Sequence, residues 1–344
     1  MINIYPDDRP VDIRRVQMTG GSSFMITLPK NWADSVSLKK NDPVMVVPQP
    51  GGGLLLTVGN GSEQDNGYPV VINADQVTDP ESLYRELIGA YIAGHGQIIL
   101  TSSQPLKGEP LEAISKFTQT SIGMEIVEED ECRIVMKDLM DQTEVVPKKN
   151  VRREYLLVKR MISDVVQSAE DRDMTRLASM ENRDTEVDRI HWLVQRQSSI
   201  HQMDIGLSSR MGIDLRAVTG CVAVSKTLER MGDHAVLISR YLARLDQERE
   251  AYSIDDALSQ IGKEIIELID GAVQAWLDND LVNAEKYVEL SKSESAKISN
   301  LFDVAEKTMT ITATSAISLM AGSARRIAEY CGDIAESAIN TAME

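Results

Sequence analysis

The sequence predicts a multidomain protein with a small strand-rich N-terminal domain, a small α/β domain and an all-α C-terminal half. At 344 residues the chain is longer than one ordinary hydrophobic core needs, so two or three domains are expected. Residues 146–344 place apolar side chains at helical spacing, whereas residues 1–145 mix alternating and helical patterns. Aromatic residues make up only 4% while Met occurs 16 times, which favours packing between helices over an all-β protein.

The N-terminal domain is predicted over residues 1–60. Its elements are defined by alternating apolar residues, by Pro29 at the first turn of a helix, and by a Gly-rich turn at 51–53. We expect two strands, one short helix and a closing hairpin, in the order 11–17, 24–28, 30–35, 43–47 and 54–58.

Several short motifs in this domain occur together in one known family. They are Arg14-Arg15, Gly20-Gly21, Ile26-Thr27-Leu28-Pro29-Lys30 and Leu38-x-x-x-Asp42. The set resembles the AbrB/SpoVT/MazE swapped-hairpin domain, an intertwined dimeric β-barrel in which one copy cannot close its own barrel. The resemblance implies a homodimer, and many members bind DNA through basic residues on the first hairpin. The DNA-binding candidates here are Arg14, Arg15 and Lys30.

The charge of this domain leaves its role open between DNA binding and dimerisation alone. Residues 1–60 hold six Lys and Arg and five Asp, so their net charge is only +1. Since DNA affinity comes largely from neutralising phosphates, a patch of this charge is weak. The whole chain carries −17, which repels nucleic acid and anionic membrane at long range.

A small α/β domain is predicted over residues 61–145, beginning with a polar linker at 60–67. Its elements follow the order βαβαββ, over 69–72, 79–93, 97–101, 109–120, 124–127 and 133–136. It contains no P-loop and no dinucleotide-binding fingerprint. His95 follows Gly94 at a predicted helix end, where capping is a more common role than catalysis. The sequence assigns no chemistry to this domain.

Six helical patterns follow a linker at residues 147–150. They cover 151–172, 173–198, 210–246, 254–278, 281–308 and 312–342. Each shows apolar residues at i, i+3, i+4 and i+7, as a helix in a bundle requires. The first three helices correspond to the last three, so we expect two three-helix bundles, over residues 146–248 and 249–344.

One acidic motif occurs in the third helix of both bundles. Glu229-x-x-Gly232-Asp233 and Glu329-x-x-Gly332-Asp333 each place two carboxylates four residues apart, on one helix face. Adjacent like charges are costly unless a cation joins them, and Gly inside a helix costs about 1 kcal/mol against Ala. Two copies in register therefore predict a metal site, although most acidic pairs on helices are simply solvated.

The paired bundles, with the stretch Leu228-Glu229-Arg230-Met231-Gly232-Asp233-His234-Ala235, resemble the PhoU family. That family has two tandem three-helix bundles, each with an E(D)-x-x-x-D signature. With an AbrB-like N-terminal domain and a small α/β domain before the bundles, the chain is similar to the archaeal type of phosphate-uptake regulator. The resemblance implies a regulator, not an enzyme, that works with a phosphate ABC transporter, its ATPase or a signalling partner. It also implies iron or zinc on the carboxylates, and magnesium or manganese would suit oxygen ligands too.

The resemblance assigns metal ligands residue by residue. They are Glu229, Asp233, Glu329, Asp333, Asp184 and Asp188. The last two supply the facing motif on the middle helix of the first bundle. In the second bundle the corresponding place, read from Lys297-Ile298 against Arg189-Ile190, is Lys292 to Ala296. It lacks a carboxylate pair, and only Glu294 is nearby. His234, beside Asp233 but on a different face of the helix, is a candidate ligand, but a polar contact is the more common role for it, as for His191 and His201.

Other function classes find less support. No Glu has a His three positions later, which argues against a di-metal oxidase, and no nucleophile–His–acid grouping indicates hydrolysis. Three widely spaced Cys, no signal-peptide pattern and no long apolar run lead us to expect a cytoplasmic protein without membrane insertion. The open alternative to a transporter adaptor is a DNA-binding transcriptional regulator of phosphate genes that uses the AbrB-like head.

Overall fold

The computed structural model describes residues 13–21, 23–48, 52–58, 69–77, 79–247, 255–305 and 311–343. The predicted linker at 60–67 and the ends of some predicted elements, such as 11–12 and 306–308, lie outside the described residues. The chain divides into two compact units, Met1–Gln64 and Asp65–Glu344.

The N-terminal unit contains two antiparallel hairpins and a short helix in its described part. The elements are β1 (Gln17–Thr19), β2 (Ser23–Met25), α1 (Lys30–Ser35), β3 (Val44–Pro48) and β4 (Leu54–Val58). β1 pairs with β2 and β3 with β4, and within the described residues of one chain these sheets do not close into a barrel. The predicted helix and second hairpin are confirmed. The first hairpin is shorter than predicted, because residues 13–16 and 26–28 are not paired in a strand.

The second unit begins with an α/β domain whose predicted order is confirmed. Its elements are β5 (Val70–Asn73), α2 (Pro80–Ile92), β6 (Gln97–Thr101), α3 (Glu109–Thr120), β7 (Met124–Asp130) and β8 (Arg133–Asp138). The strands form one sheet in the order β5-β6-β8-β7, with β5 and β6 parallel and the other pairs antiparallel. Asp79 accepts from the Ser82 amide at 2.8 Å and caps α2, whose first residue is Pro80.

The core of this domain includes Leu87, Tyr91, Ile98, Phe117 and Met136. β7 continues beyond its predicted end, because a bulge after Ile126 lets the acidic residues that follow keep pairing with β8.

The rest of the second unit is helical in its described ranges. The helices are α4 (Pro147–Asp171), α5 (Met180–Met203), α6 (Ile205–Met211), α7 (Leu215–Gln247), α8 (Asp255–Asp278), α9 (Leu281–Ala305) and α10 (Ile311–Ala342). None of these helices, within the described ranges, is both long and apolar enough to cross a bilayer.

Three helix boundaries differ from the prediction. Pro147 begins α4, so the predicted linker at 147–150 is the first turn of a helix, for which the φ of proline is suited. The pattern predicted over 173–198 begins with a 3-10 turn, Met174–Ser179, before α5. The pattern predicted over 210–246 is interrupted at Gly212, whose φ of 64° ends α6.

Helices of both bundles share one continuous hydrophobic core. Within it α7 contacts α10: the His234 ring lies 5.8 Å from the Tyr330 ring, and a Cβ on Gly220 would lie 3.4 Å from Thr341. Since higher numbers on α7 meet lower numbers on α10, the two helices run in opposite directions. The two acidic motifs therefore lie close together along the contact.

A buried arginine joins the α/β domain to the first bundle. Arg196 of α5 is 1% exposed and donates to the Tyr91 carbonyl at 2.6 Å, the His95 carbonyl at 3.0 Å and the Asp138 carboxylate at 2.7 Å. Its guanidinium also lies 4.8 Å from the centre of the Tyr91 ring. The α/β domain thus holds α5 near its C-terminal end.

Candidate functional site

Four predicted ligands converge where α5 and α7 face each other in the first bundle. Asp184 and Asp188 lie on α5, and Glu229 and Asp233 lie on α7. Burial, followed by the charges of the other three carboxylates, raises the pKa of Asp188 to about 7. Burial and then the charges of Asp233 and Glu229 raise the pKa of Asp184 to about 6. We call these four side chains the first-bundle cluster.

Gly232 lets α7 approach α5 closely beside this cluster. A Cβ on Gly232 would lie 3.2 Å from Oδ1 of Asp184 and 3.6 Å from Cγ1 of Val187. The first distance is so short that a methyl group would push against the Asp184 carboxylate. A residue with no side chain therefore permits the spacing between Asp184 and the carboxylates of α7.

Nearby cations offset part of the negative charge of the cluster. Lys226 donates to both carboxylate oxygens of Glu229, at 2.7 and 2.6 Å. Arg240 bonds Glu181 at 2.8 Å, and its charge opposes the rise in the pKa of Asp184. The offset is incomplete, since burial and then the charge of Glu229 still raise the pKa of Asp233.

The carboxylates are gathered but do not surround a ready-made coordination point. Among the residues that the structure describes, no three His, Cys, Asp or Glu side chains are placed so that they could hold a metal ion. Side-chain rotation would have to bring the oxygens of the first-bundle cluster together. The donor set itself fits a metal, because it is all oxygen and because the like charges favour a shared cation.

A fifth carboxyl group, which the sequence analysis missed, lies beside this cluster. Glu154 of α4 is 0% exposed, and Ser225 donates to its Oε2 at 2.6 Å. Its Oε1 has no hydrogen-bond partner among the described residues. Burial raises the pKa of Glu154 well above its ordinary value, and the charges of Glu229 and Asp188 add to the rise.

A signal for Glu154 was present in the sequence. The residue stands three positions after Val151 and four before Val158, on the apolar face of α4, and both valines are fully buried. A glutamate is seldom buried without a partner, so its place in this pattern marks it.

The motif of the second bundle already has arginine partners. Arg326 donates to Glu329 at 2.9 Å, and Arg325 lies 3.8 Å from the same carboxylate. Burial is the main cause that raises the pKa of Asp333, and the charge of Arg230 opposes the rise. Arginine side chains therefore already offset part of the negative charge of Glu329 and Asp333, which is the role that a metal ion would have.

The facing positions in the second bundle are one residue earlier than predicted. A Cβ on Gly332 would lie 2.5 Å from Oγ of Ser291, so Ser291 takes the place that Asp184 has in the first bundle. Ser295, four residues later, donates to Glu329 at 3.3 Å.

The prediction that Lys292 and Ala296 face the motif is therefore wrong. A shift of one residue along a helix rotates the side chain by about 100° around the helix axis, so these two residues lie on another face. Lys292 is instead exposed and bonds Glu289 at 2.8 Å. Glu294, the carboxylate predicted nearby, pairs with Lys297. With two serine hydroxyls opposite Glu329 and Asp333, the second bundle does not fit a metal cluster as the first bundle does.

The three predicted DNA-binding residues belong to the N-terminal unit, and two of the predicted histidines make polar contacts in the first bundle. Arg14, Arg15 and Lys30 are exposed on the N-terminal unit. His191 Nδ1 lies 2.9 Å from Ser225 Oγ, and His201 Nδ1 lies 3.0 Å from Ser208 Oγ.

Family models match two parts of the chain. Residues 151–242 match the PhoU domain, and residues 17–62 match the antidote-toxin recognition domain MazE, a bacterial antitoxin. The first match contains the whole first-bundle cluster and Glu154. The second contains Lys30 but begins after Arg14 and Arg15.

Solved structures similar to the chain include two PhoU proteins. The crystal structure of PhoU from Pseudomonas aeruginosa is 19% identical, with 56% of this chain and 93% of that chain covered and a TM-score of 0.49. The crystal structure of the phosphate transport system regulatory protein PhoU from Streptococcus pneumoniae is 19% identical, with 56% and 91% covered and a TM-score of 0.45. No curated protein matches the chain.

Proposed function

We propose that this chain, which carries a PhoU domain over residues 151–242 and a MazE-like domain over residues 17–62, is a regulator of phosphate uptake and not an enzyme. It acts in the cytoplasm as a dimeric, metal-binding adaptor on a phosphate ABC transporter or on a signalling partner of that transporter. One observation carries the proposal: the PhoU match contains the four carboxylates that face each other across α5 and α7.

A metal ion binds at the first-bundle cluster. Iron or zinc is expected from the family resemblance, and magnesium or manganese also suits oxygen donors. The ion supplies positive charge that removes the repulsion among the four carboxylates. Glu229 exchanges its bond with Lys226 for the ion, so the lysine serves as its partner in the metal-free protein.

The N-terminal unit supplies the dimer contact. Phe24 is 77% exposed, Met18 69% and Leu54 66%, all on one small unit. Large apolar side chains grouped in this way indicate a surface that another chain covers. A second copy in the swapped-hairpin arrangement would cover them and complete a barrel that the described strands of one chain do not close.

The acidic helices of the second unit dock on basic cytoplasmic elements of the partner protein. The net charge of −17 favours fast association with a positively charged surface. Metal at the first-bundle cluster fixes the relative position of α5 and α7, and phosphate status changes the docking.

A pull-down with the transporter ATPase at high and low phosphate tests the adaptor role. We expect the wild type to be retained and the amount to differ between the two phosphate levels. Asp184→Asn with Asp188→Asn should reduce retention because the metal is lost. Glu285→Gln with Glu289→Gln, an exposed pair at the same spacing on α9, is the matched control. Equal lack of binding by the wild type at both levels would contradict the proposal.

A second candidate function is DNA-binding transcriptional regulation of phosphate genes. The MazE match and the exposed Arg14, Arg15 and Lys30 favour it, and the weak positive charge of the unit opposes it. A mobility shift on the gene's own promoter would weaken with salt if phosphates are neutralised. Arg15→Glu should abolish such a shift, whereas absence of any shift at low salt would remove this function.

A further inference from the structure

One carboxyl group in the first bundle is fully buried, but only one of its two oxygens has a hydrogen-bond partner among the described residues. Glu154 is 0% exposed, and its Oε1 has no hydrogen-bond partner among the described residues. A carboxylate out of contact with water is strongly disfavoured unless a cation or a set of donors satisfies it. Lys226, whose charge opposes the rise in the pKa of Glu154, is already bound to Glu229 at 2.6 Å.

A chain of buried hydrogen bonds orients this carboxylate. The Ser225 hydroxyl donates to Oε2 of Glu154 at 2.6 Å, so the serine oxygen must accept from Nδ1 of His191, 2.9 Å away. With its proton on Nδ1, His191 accepts at Nε2 from the Gln195 amide. Each hydrogen bond in this series is therefore donated in the direction of Glu154. The last one, from Ser225, is accepted by Oε2, and Oε1 has no hydrogen-bond partner among the described residues.

Helix geometry places Glu154 next to the first-bundle cluster. Ser225, which holds it, stands one turn before Glu229 on α7, and His191 stands three residues after Asp188 on α5. Glu154 thus lies between the same two helices as the cluster, on the side of the core. The negative charges of Glu229 and Asp188 are the ones that act on it most strongly.

We infer that Glu154 is a further ligand of the metal ion proposed at the first-bundle cluster, with Oε1 as the coordinating oxygen. This inference rests on the proposed metal site and extends it from the helix surface into the core. Ser225 and His191 then act as positioning residues that hold the carboxylate through Oε2, as the outer partners of metal ligands commonly do. The proposed donor set is then five carboxylates from three helices, and side-chain rotation has to bring their oxygens together, because no three of them are placed to hold an ion in the described residues. Oxygen donors of this kind suit a hard divalent cation.

The competing explanation is that Glu154 is a protonated buried acid with a purely structural role. The two explanations differ in what a change to glutamine does. Glu154→Gln keeps the shape and an oxygen that accepts from Ser225, but it removes the negative charge. A structural acid would tolerate this change, whereas a metal ligand would not.

The test measures binding of Mn2+ alone and of Zn2+ alone to the full-length protein after chelator treatment. Calorimetry and elemental analysis give the affinity and stoichiometry. We expect Glu154→Gln to weaken binding about tenfold or more, the loss typical for a change beside a bound metal. Asp188→Asn should weaken it as well. Asp164→Asn is the control, because Asp164 is a buried acid of the same helix whose partners are Arg160 and Arg183.

The outcomes separate this inference from the proposed function. If the wild type and Glu154→Gln bind equally while Asp188→Asn does not, Glu154 is structural and the cluster remains a metal site. If the wild type binds neither ion, both proposals fail. A crystal structure of the Zn2+-loaded wild type decides the matter without a variant: an Oε1–zinc distance of about 2.0–2.2 Å supports the inference, and a distance beyond about 3.5 Å overturns it.

Discussion

Gly232 shows how one missing side chain shapes the cluster. The glycines of the two motifs both face the middle helix of their bundle, one against Asp184 and the other against Ser291. Glycine inside a helix lowers the stability of that helix, but at Gly232 it allows α7 to approach α5 closely.

Gly232→Ala should weaken metal binding about tenfold, since the methyl group would displace Asp184, whose Oδ1 would lie 3.2 Å from it. Gly322→Ala in α10 is the matched control, because no atom lies within 4 Å of its Cβ. That control should raise the free energy of unfolding by up to about 1 kcal/mol and leave metal binding unchanged. Calorimetric titration with Zn2+ and urea unfolding give the two quantities. Unchanged metal binding in Gly232→Ala would contradict the role assigned to the glycine.

Asp188 should make the metal-free protein less stable as the pH rises. Its pKa is raised from 3.8 to about 7, so the folded protein holds the proton more tightly than the unfolded chain does. That contribution to stability is fully present below the unfolded pKa and is lost as the pH rises through the folded pKa.

Asp188→Asn should therefore gain stability relative to the metal-free wild type between pH 5 and pH 8. The expected gain is about 1–2 kcal/mol, after allowance for the part of the side chain that water reaches. Urea unfolding at the two pH values measures it, and Glu285→Gln is the control on an exposed carboxylate. Added Zn2+ should reverse the order of the two proteins at pH 8. A difference that does not change with pH would count against the shared electrostatic environment of the cluster.

At the scale of elements, α5 links the α/β domain to the cluster. Asp184 and Asp188 lie in its first half, and Arg196 joins its second half to Asp138. Because both groups belong to one helix, a movement of α5 on metal binding would reach the α/β domain.

Arg196→Ala should destabilise the protein by about 3–5 kcal/mol, because it removes the cationic partner of the buried Asp138 carboxylate and the hydrogen bonds of the guanidinium to two carbonyl groups. Arg210→Ala is the control: that exposed arginine lies 4.0 Å from Asp204, and its loss should cost less than about 1 kcal/mol. Urea unfolding measures both. Adding Asp138→Asn to Arg196→Ala should recover part of the loss, and no recovery would show that packing, and not the buried charge, dominates.

At the scale of the whole molecule, the N-terminal unit is expected to set the oligomeric state. Its exposed apolar side chains are too many for a small unit that is complete by itself.

Phe24→Glu should convert the proposed dimer to a monomer, because a charge replaces a side chain that is 77% exposed in one chain and that the proposed dimer would cover. Val282→Glu on α9 is the control, since Val282 is 81% exposed and lies in the other unit. Size-exclusion chromatography with light scattering at several concentrations measures the mass. A Phe24→Glu protein that elutes with the mass of the wild type would contradict this dimer contact.

Most elements could be predicted because they depend on local patterns. The helix at 30–35, the strand at 97–101 and the helix at 109–120 have the predicted bounds, since turn residues and apolar spacing act over a few neighbours. The start of α4 at Pro147 was missed, because a basic polar segment resembles a linker until its proline is placed at a helix start.

The duplicated motif, its carboxylate spacing and the helices that carry it could be predicted from the sequence, because they depend on residues four apart on one helix. Asp184 was already expected to face the motif of the first bundle, but the tertiary structure was needed to show that Ser291, and not Lys292, faces the motif of the second. The tertiary structure also placed Glu154, from a helix about 75 residues away, beside Glu229. The reason is physical. Periodicity shows which side of a helix is apolar, but the rotation and shift of one helix against another are set by packing of the whole core.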